Sequence, residues 1–238
     1  MAAGSPQVRP PGTSWRGPSA PTVGLTDQMK EVPALSPQLS RFSALSGVLS
    51  GLLLAVAGAV SVFTGKTAGA AFVIALSPAL ALPLLVAVYQ RHAAAAGAFG
   101  VAAFGTSLIG LGLFGGAVFV KDTTLFYLST AVQDHLKHEP TIVALLGAAV
   151  VFVAGTVMFG IFLLRTRACP RLLAWAYIVC PSLLALLSPL HDSPLQNANH
   201  ALAGATIAWL ALMLWRTAPD ITIPGSEVRH PAGSTRQA

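Results

Sequence analysis

The chain has 238 residues, 54% of them hydrophobic and only 9% charged, with a mean hydropathy of +0.70. A soluble domain carries about a quarter charged residues, so this chain lacks the charge to clothe a water-facing surface, and its composition predicts a polytopic membrane protein. The net charge of +6 does not point to nucleic acid, because no basic helix interleaved with aromatics occurs; basic residues here suit loops held against anionic lipid.

Residues 1–40 are rich in Pro, Ser and Gly, in fragments such as RPPGTSWRGP and PALSPQ, and show no apolar periodicity. They predict a disordered cytoplasmic tail, and the first apolar run starts too late, near Phe42, for a signal peptide. Six apolar runs follow, at 42–64, 68–89, 93–120, 141–164, 172–190 and 199–215. Each is long enough to cross a bilayer, allowing for tilt. The fourth holds 24 residues without a charge, which as a helix reach about 36 Å. Pro140 suits its first turn, where a missing N–H breaks no bond. Pro78 and Pro83 in the second run and Pro181 in the fifth predict kinks.

Between the third and fourth runs, residues 121–139 have their own pattern. Leu125, Leu128, Val132 and Leu136 fall on one helical face, and Ser129, Gln133, Asp134 and Lys137 lie opposite. This predicts an amphipathic helix on the outer surface. Residues 217–238, with Pro219, Pro224, Pro231 and Gly233, predict a second disordered cytoplasmic tail. Residues 41–216 are then one six-helix transmembrane domain, all-α.

Arg165, Arg167 and Arg171 crowd the short connection after the fourth run, and arginine-bearing short loops stay cytoplasmic. That orientation puts both termini inside the cell membrane. It leaves eleven Lys or Arg residues inside and three, Lys66, Lys121 and Lys137, outside. Trp175 and Trp215 suit an inner interfacial belt. Cys169 faces the reducing side and Cys180 lies within the bilayer, which argues against a disulfide.

Lipid gives no hydrophobic drive for helix association, so small residues should mark the contacts. Ser43, Gly47, Gly51, Ala55 and Ala59 recur at four-residue spacing in the first run. His200, Gly204 and Ala208 share a face of the sixth, and Gly105, Gly110, Gly112, Gly115 and Gly116 mark the third. These stripes predict contacts within the chain; the alternative is a homo-oligomer built on one of them.

Chemistry is sparse. No nucleophile elbow, phosphate-binding loop or dinucleotide fingerprint occurs, and the first four runs hold no histidine within their spans for a bis-His haem. The expected outer side does gather His135, His138, His191 and His200, with Asp134 and Asp192 beside them. Those four histidines are candidate ligands for zinc or another divalent metal, and Asp134 or Asp192 is the candidate base on metal-bound water. Polar residues must collect outside the lipid in any case, which is the plainer account of the cluster. A charged substrate is disfavoured, because the cores of the runs contain no Asp, Glu, Lys or Arg.

The stretch GIFLLRTRACPRLLAWAYIV, through Gly160, Leu163, Arg165, Pro170, Arg171 and Trp175, resembles a segment that recurs in bacterial six-helix integral membrane proteins of unassigned role. The resemblance implies a multi-pass protein and carries over no active-site residue. The sequence therefore favours a non-enzymatic membrane component that binds, scaffolds or senses, with the lipid bilayer as its first partner. One alternative is a metal-dependent membrane hydrolase at the outer histidines. A second is a carrier of small apolar or lipid-like molecules, which needs a cavity reaching the midplane beside Pro78, Pro83 or Pro181.

Overall fold

The computed structural model describes residues 36–129, 131–132, 141–188 and 193–217. Among the described residues six long helices carry the fold: α1 (Pro37–Thr64), α2 (Ala68–Arg91), α3 (Gly97–Thr123), α4 (Thr141–Thr166), α5 (Arg171–Leu187) and α6 (Pro194–Arg216). Five are long and apolar enough to cross a bilayer; α5, with 17 residues, is shorter. Large apolar side chains stand exposed on their outer faces, including Val56, Phe63, Val150, Leu172 and Leu202. The chain is an all-α, multi-pass membrane protein.

The boundaries move for identifiable reasons. α1 starts at Pro37, inside the segment expected to be a tail. Ser36 caps it by accepting from the Leu39 amide, and Pro37 fills the first turn. α6 starts at Pro194, five residues before the apolar run. Ser193 accepts from the Gln196 amide there, so a polar first turn precedes the apolar part. α3 is preceded by a 3₁₀ turn (Ala93–Ala95) and followed by another (Leu125–Tyr127), after which Leu128 is extended. The amphipathic face therefore does not begin at Leu125, and residues 130 and 133–139 of that expected stretch lie outside the described residues.

Each helix packs on its neighbours in sequence, and α6 returns to α1 in the most extensive contact of all, so the six form a closed cycle. The contact registers run neighbouring helices antiparallel, with Ser46 on Leu80 and Ser50 on Ser77 between α1 and α2, and Gly110 on Phe152 and Gly155 on Ser107 between α3 and α4. At one end of the bundle lie the described Lys residues, Lys66 and Lys121; at the other lie Arg41, Arg91, Arg165, Arg167, Arg171 and Arg216. We call these the lysine end and the arginine end.

The small-residue stripes make the contacts inside this cycle. A Cβ on Gly51 would strike the Ala208 amide and the Gly204 carbonyl, and one on Gly204 would strike the backbone of Ala55 and Gly51. α1 and α6 thus meet backbone to backbone, the close approach small residues permit. One turn along, it is Gly58, not the expected Ala59, that lies against Asn197, His200 and Ala201. Gly110 and Gly155 do the same between α3 and α4, whereas Gly105, Gly112 and Gly116 face open space. Between α1 and α2, Ser50 Oγ donates to the Ser77 carbonyl at 2.7 Å, and Ser46 Oγ donates to Leu80, between the two prolines, at 2.7 Å. Pro78 lies against Gly115, and Phe114 stacks on Phe152.

The arginine half of the cycle is closed by rings. Tyr89 stacks on Phe104 with centroids 4.2 Å apart, and Phe159, Phe162 and Tyr177 continue the packing across α4 and α5. Leu163, Leu173, Ala174 and Ala211 complete a buried apolar plug.

Candidate functional site: a buried polar layer at the lysine end

Toward the lysine end the interior changes character. An apolar floor of Leu54, Ala57, Ile74, Phe114, Val118, Ala185 and Ala203 is overlain by polar groups from four segments. Lys66, in the α1–α2 connection, reaches Asp122 near the end of α3. Its Nζ donates to Oδ1 at 2.6 Å, and the two side chains are only 5% and 4% exposed. Next to Asp122, Lys121 donates to the Ser188 carbonyl at 2.6 Å. Two successive residues thus tie the end of α3 to the α1–α2 turn on one side and to the end of α5 on the other.

The first two turns of α6 supply the rest. Gln196, Asn197, Asn199 and His200 are all buried. Asn197 Nδ2 donates to the Ser61 carbonyl on α1 at 3.0 Å. Asn199 Nδ2 donates at 3.1 Å to the Cys180 carbonyl, just before Pro181 in α5. His200 Nδ1 lies 2.8 Å from the Gln196 carbonyl, so Nδ1 carries the hydrogen and Nε2 holds a lone pair in the neutral ring. Lys66, Asp122 and Lys121 all lie within electrostatic reach of that ring.

This layer is incompletely satisfied. Among the described residues, the buried side-chain atoms with no hydrogen-bond partner are Ser61 Oγ, Ser182 Oγ and Gln196 Oε1, and all three sit in the lysine half. A buried polar atom without a partner costs about 1–3 kcal/mol. The ion pair adds the desolvation of two charges. Packing alone gives no reason to place such groups here, when the other half is closed by aromatic rings.

Of the residues singled out as metal ligands or base, His200 alone is described. It points into the bundle with its ligand-competent nitrogen free of the Gln196 contact. His135, His138, His191, Asp134 and Asp192 lie outside the described residues, and among the described residues no three of His, Cys, Asp and Glu come together. By sequence Lys66 and Asp122 fall in outer connections, and a last helix begun at Asn199 leaves Gln196 and Asn197 outside it. The signal was present in Ser193-Pro194-Leu195-Gln196, a cap residue, a first-turn proline and a glutamine at the third helical position. Cys169 and Cys180 are both free.

No protein family model, curated protein or solved structure matches the chain.

Proposed function

We propose that the chain is a non-catalytic binding or sensing component of the cell membrane, with six spans, both termini inside, and the lysine end facing out. The arginine-bearing connections support this orientation, since short basic loops stay on the cytoplasmic side. The working part is the polar layer, where a small hydrogen-bonding molecule arriving from outside meets Gln196, Ser61, His200 and the Lys66–Asp122 pair.

One observation carries the reading: a buried ion pair and unpartnered polar atoms share one end of a bundle whose other end is sealed by aromatic packing. Such groups within a membrane bundle mark a site more often than a scaffold.

The test is accessibility. In a Cys169→Ser/Cys180→Ala background, Gln196→Cys is exposed to a small cationic thiosulfonate reagent in intact cells and in inverted vesicles. Modification from the cell exterior alone is expected. No modification from either side would reduce the layer to a structural seam, and modification from the inner side would reverse the topology. Reporter fusions in residues 167–170 check the orientation independently.

A further inference from the structure

The arginine end carries a second feature that the reading above leaves unused. α4 ends at Thr166, and the chain reverses through residues 167–170 before α5 begins at Arg171. Arg167 has φ 51°, and the Ala168 amide returns to the Leu163 carbonyl at 3.1 Å. That is the Schellman closure, in which the left-handed position is usually glycine. A side chain there costs about 1–2 kcal/mol. The cap would be better built with glycine, so the arginine is there for its side chain.

Three arginines project from this turn. Arg165 is held over the Phe99 ring at 4.5 Å, while Arg167 and Arg171 are exposed. No described carboxylate lies near them, since Asp122, the single Asp or Glu among the described residues, belongs to the lysine end. Below Arg171 an exposed apolar stripe runs down one face of α5: Trp175, Val179, Leu183 and Leu186, at spacings of four, four and three. From Arg171 to Leu186 that face spans about 22 Å. One leaflet is only about 15 Å deep. A cationic head over an apolar track of leaflet length has the shape and charge pattern of the surface that complements an amphiphile.

We infer that the α4–α5 turn and the outer face of α5 form a binding site for an anionic phospholipid. The phosphate sits on Arg167 and Arg171, and an acyl chain lies along Trp175, Val179 and Leu183. Arg165, fixed by Phe99, closes one flank of the headgroup position. The site needs only that the chain spans a membrane, and it stands whichever way the arginine end faces.

The full-length protein is purified, stripped of lipid, and titrated with phosphatidylglycerol or phosphatidylcholine of identical chains, with bound lipid counted by native mass spectrometry. Phosphatidylglycerol should bind preferentially, and Arg167→Gln/Arg171→Gln should lower its affinity by about an order of magnitude or more, the scale of two arginines at a charged surface. Arg91→Gln is the matched control, an exposed arginine at the same end already engaged with the Thr217 carbonyl. Arg167→Gly separates the cap from the site: it should raise the melting temperature of lipid-free protein and still weaken phosphatidylglycerol binding. Equal binding of the two lipids, an unchanged double variant, or an equal loss in Arg91→Gln (diffuse charge only) overturns the proposal. So does displacement by millimolar inorganic phosphate, which would make the occupant a free anion.

Discussion

At the arginine end the charges stay outside and the interior is shut with stacked rings, Tyr89 on Phe104 and Phe159 beside Phe162. At the lysine end the charges go in, and Lys66 and Asp122 face each other almost wholly out of solvent. One chain thus closes the two mouths of one bundle by opposite chemistry. The apolar closure needs only shape and tolerates substitution of similar volume. The polar closure works only while every partner stays in place, because removing one leaves a buried charge without compensation. Exposed arginines are therefore weak evidence about a membrane protein's interior, and a buried lysine is strong evidence.

That contrast can be broken by substitution. The largest effect is expected at the ion pair: Lys66→Met should destabilise the protein by about 3–5 kcal/mol. Adding Asp122→Leu should restore much of that loss, while Arg91→Gln at the opposite end should stay within about 0.5 kcal/mol. Unfolding in detergent micelles measures all three, and equal losses at the two ends would erase the distinction. Next comes Gly58→Val, whose side chain would meet the Ala201 amide and the Asn197 carbonyl, neither of which can rotate away. A loss of about 1–3 kcal/mol or more is expected. Gly105→Ala, in open space, should be neutral or mildly stabilising by helix propensity.

A smaller loss follows at mid-bundle, where Ser50→Ala removes the hydroxyl that donates to Ser77. Hydrogen bonds between membrane helices average about 0.6 kcal/mol, and that is the expected cost by the same unfolding measurement. The smallest effect is chemical. Cys169 is buried at the arginine end, and burial pushes its thiol above the usual range. The reactive thiolate is the deprotonated form, so a higher pKa means less of it at neutral pH. Maleimide labelling should be slow at pH 7 and keep rising beyond about 8.5, where a free thiol is already half ionised. Rapid labelling at neutral pH would show that the arginine end is not packed as described.

The fold was legible in the sequence because lipid writes its demands in composition: long uncharged runs, glycines at four-residue spacing, prolines within spans. Gly51 facing Gly204 follows from that spacing once two helices are known to touch. Which helices touch is set by side-chain fit: the periodic stripes mark a close-packing face on α1 and one on α6 without pairing the two. The candidate site was less legible. Lys66 sits in a short turn between two apolar runs, where a lysine ordinarily faces water. Only the three-dimensional placement of Asp122, which hydropathy assigns to a loop, turns it into a buried pair. The polar opening of α6 hid for the opposite reason, because its cap residues look like loop sequence until Pro194 is taken as a first helical residue.

The closure of α6 on α1 also bears on how the protein is made. About 130 residues separate Thr64 from Pro194, so at ribosomal rates of about 5–20 residues per second the first helix waits roughly 6 to 26 seconds for its main partner. In that interval the groove around Gly51 and Gly58 stands open in the bilayer, and the young hairpin is held by the serine contacts to α2 and by Leu84 packed on Gly47. A transcript truncated before α6 would leave that groove vacant for good. The last helix of a neighbouring complete copy fits it as well as its own would, so translation arrest there should yield swapped, tangled assemblies instead of a harmless fragment.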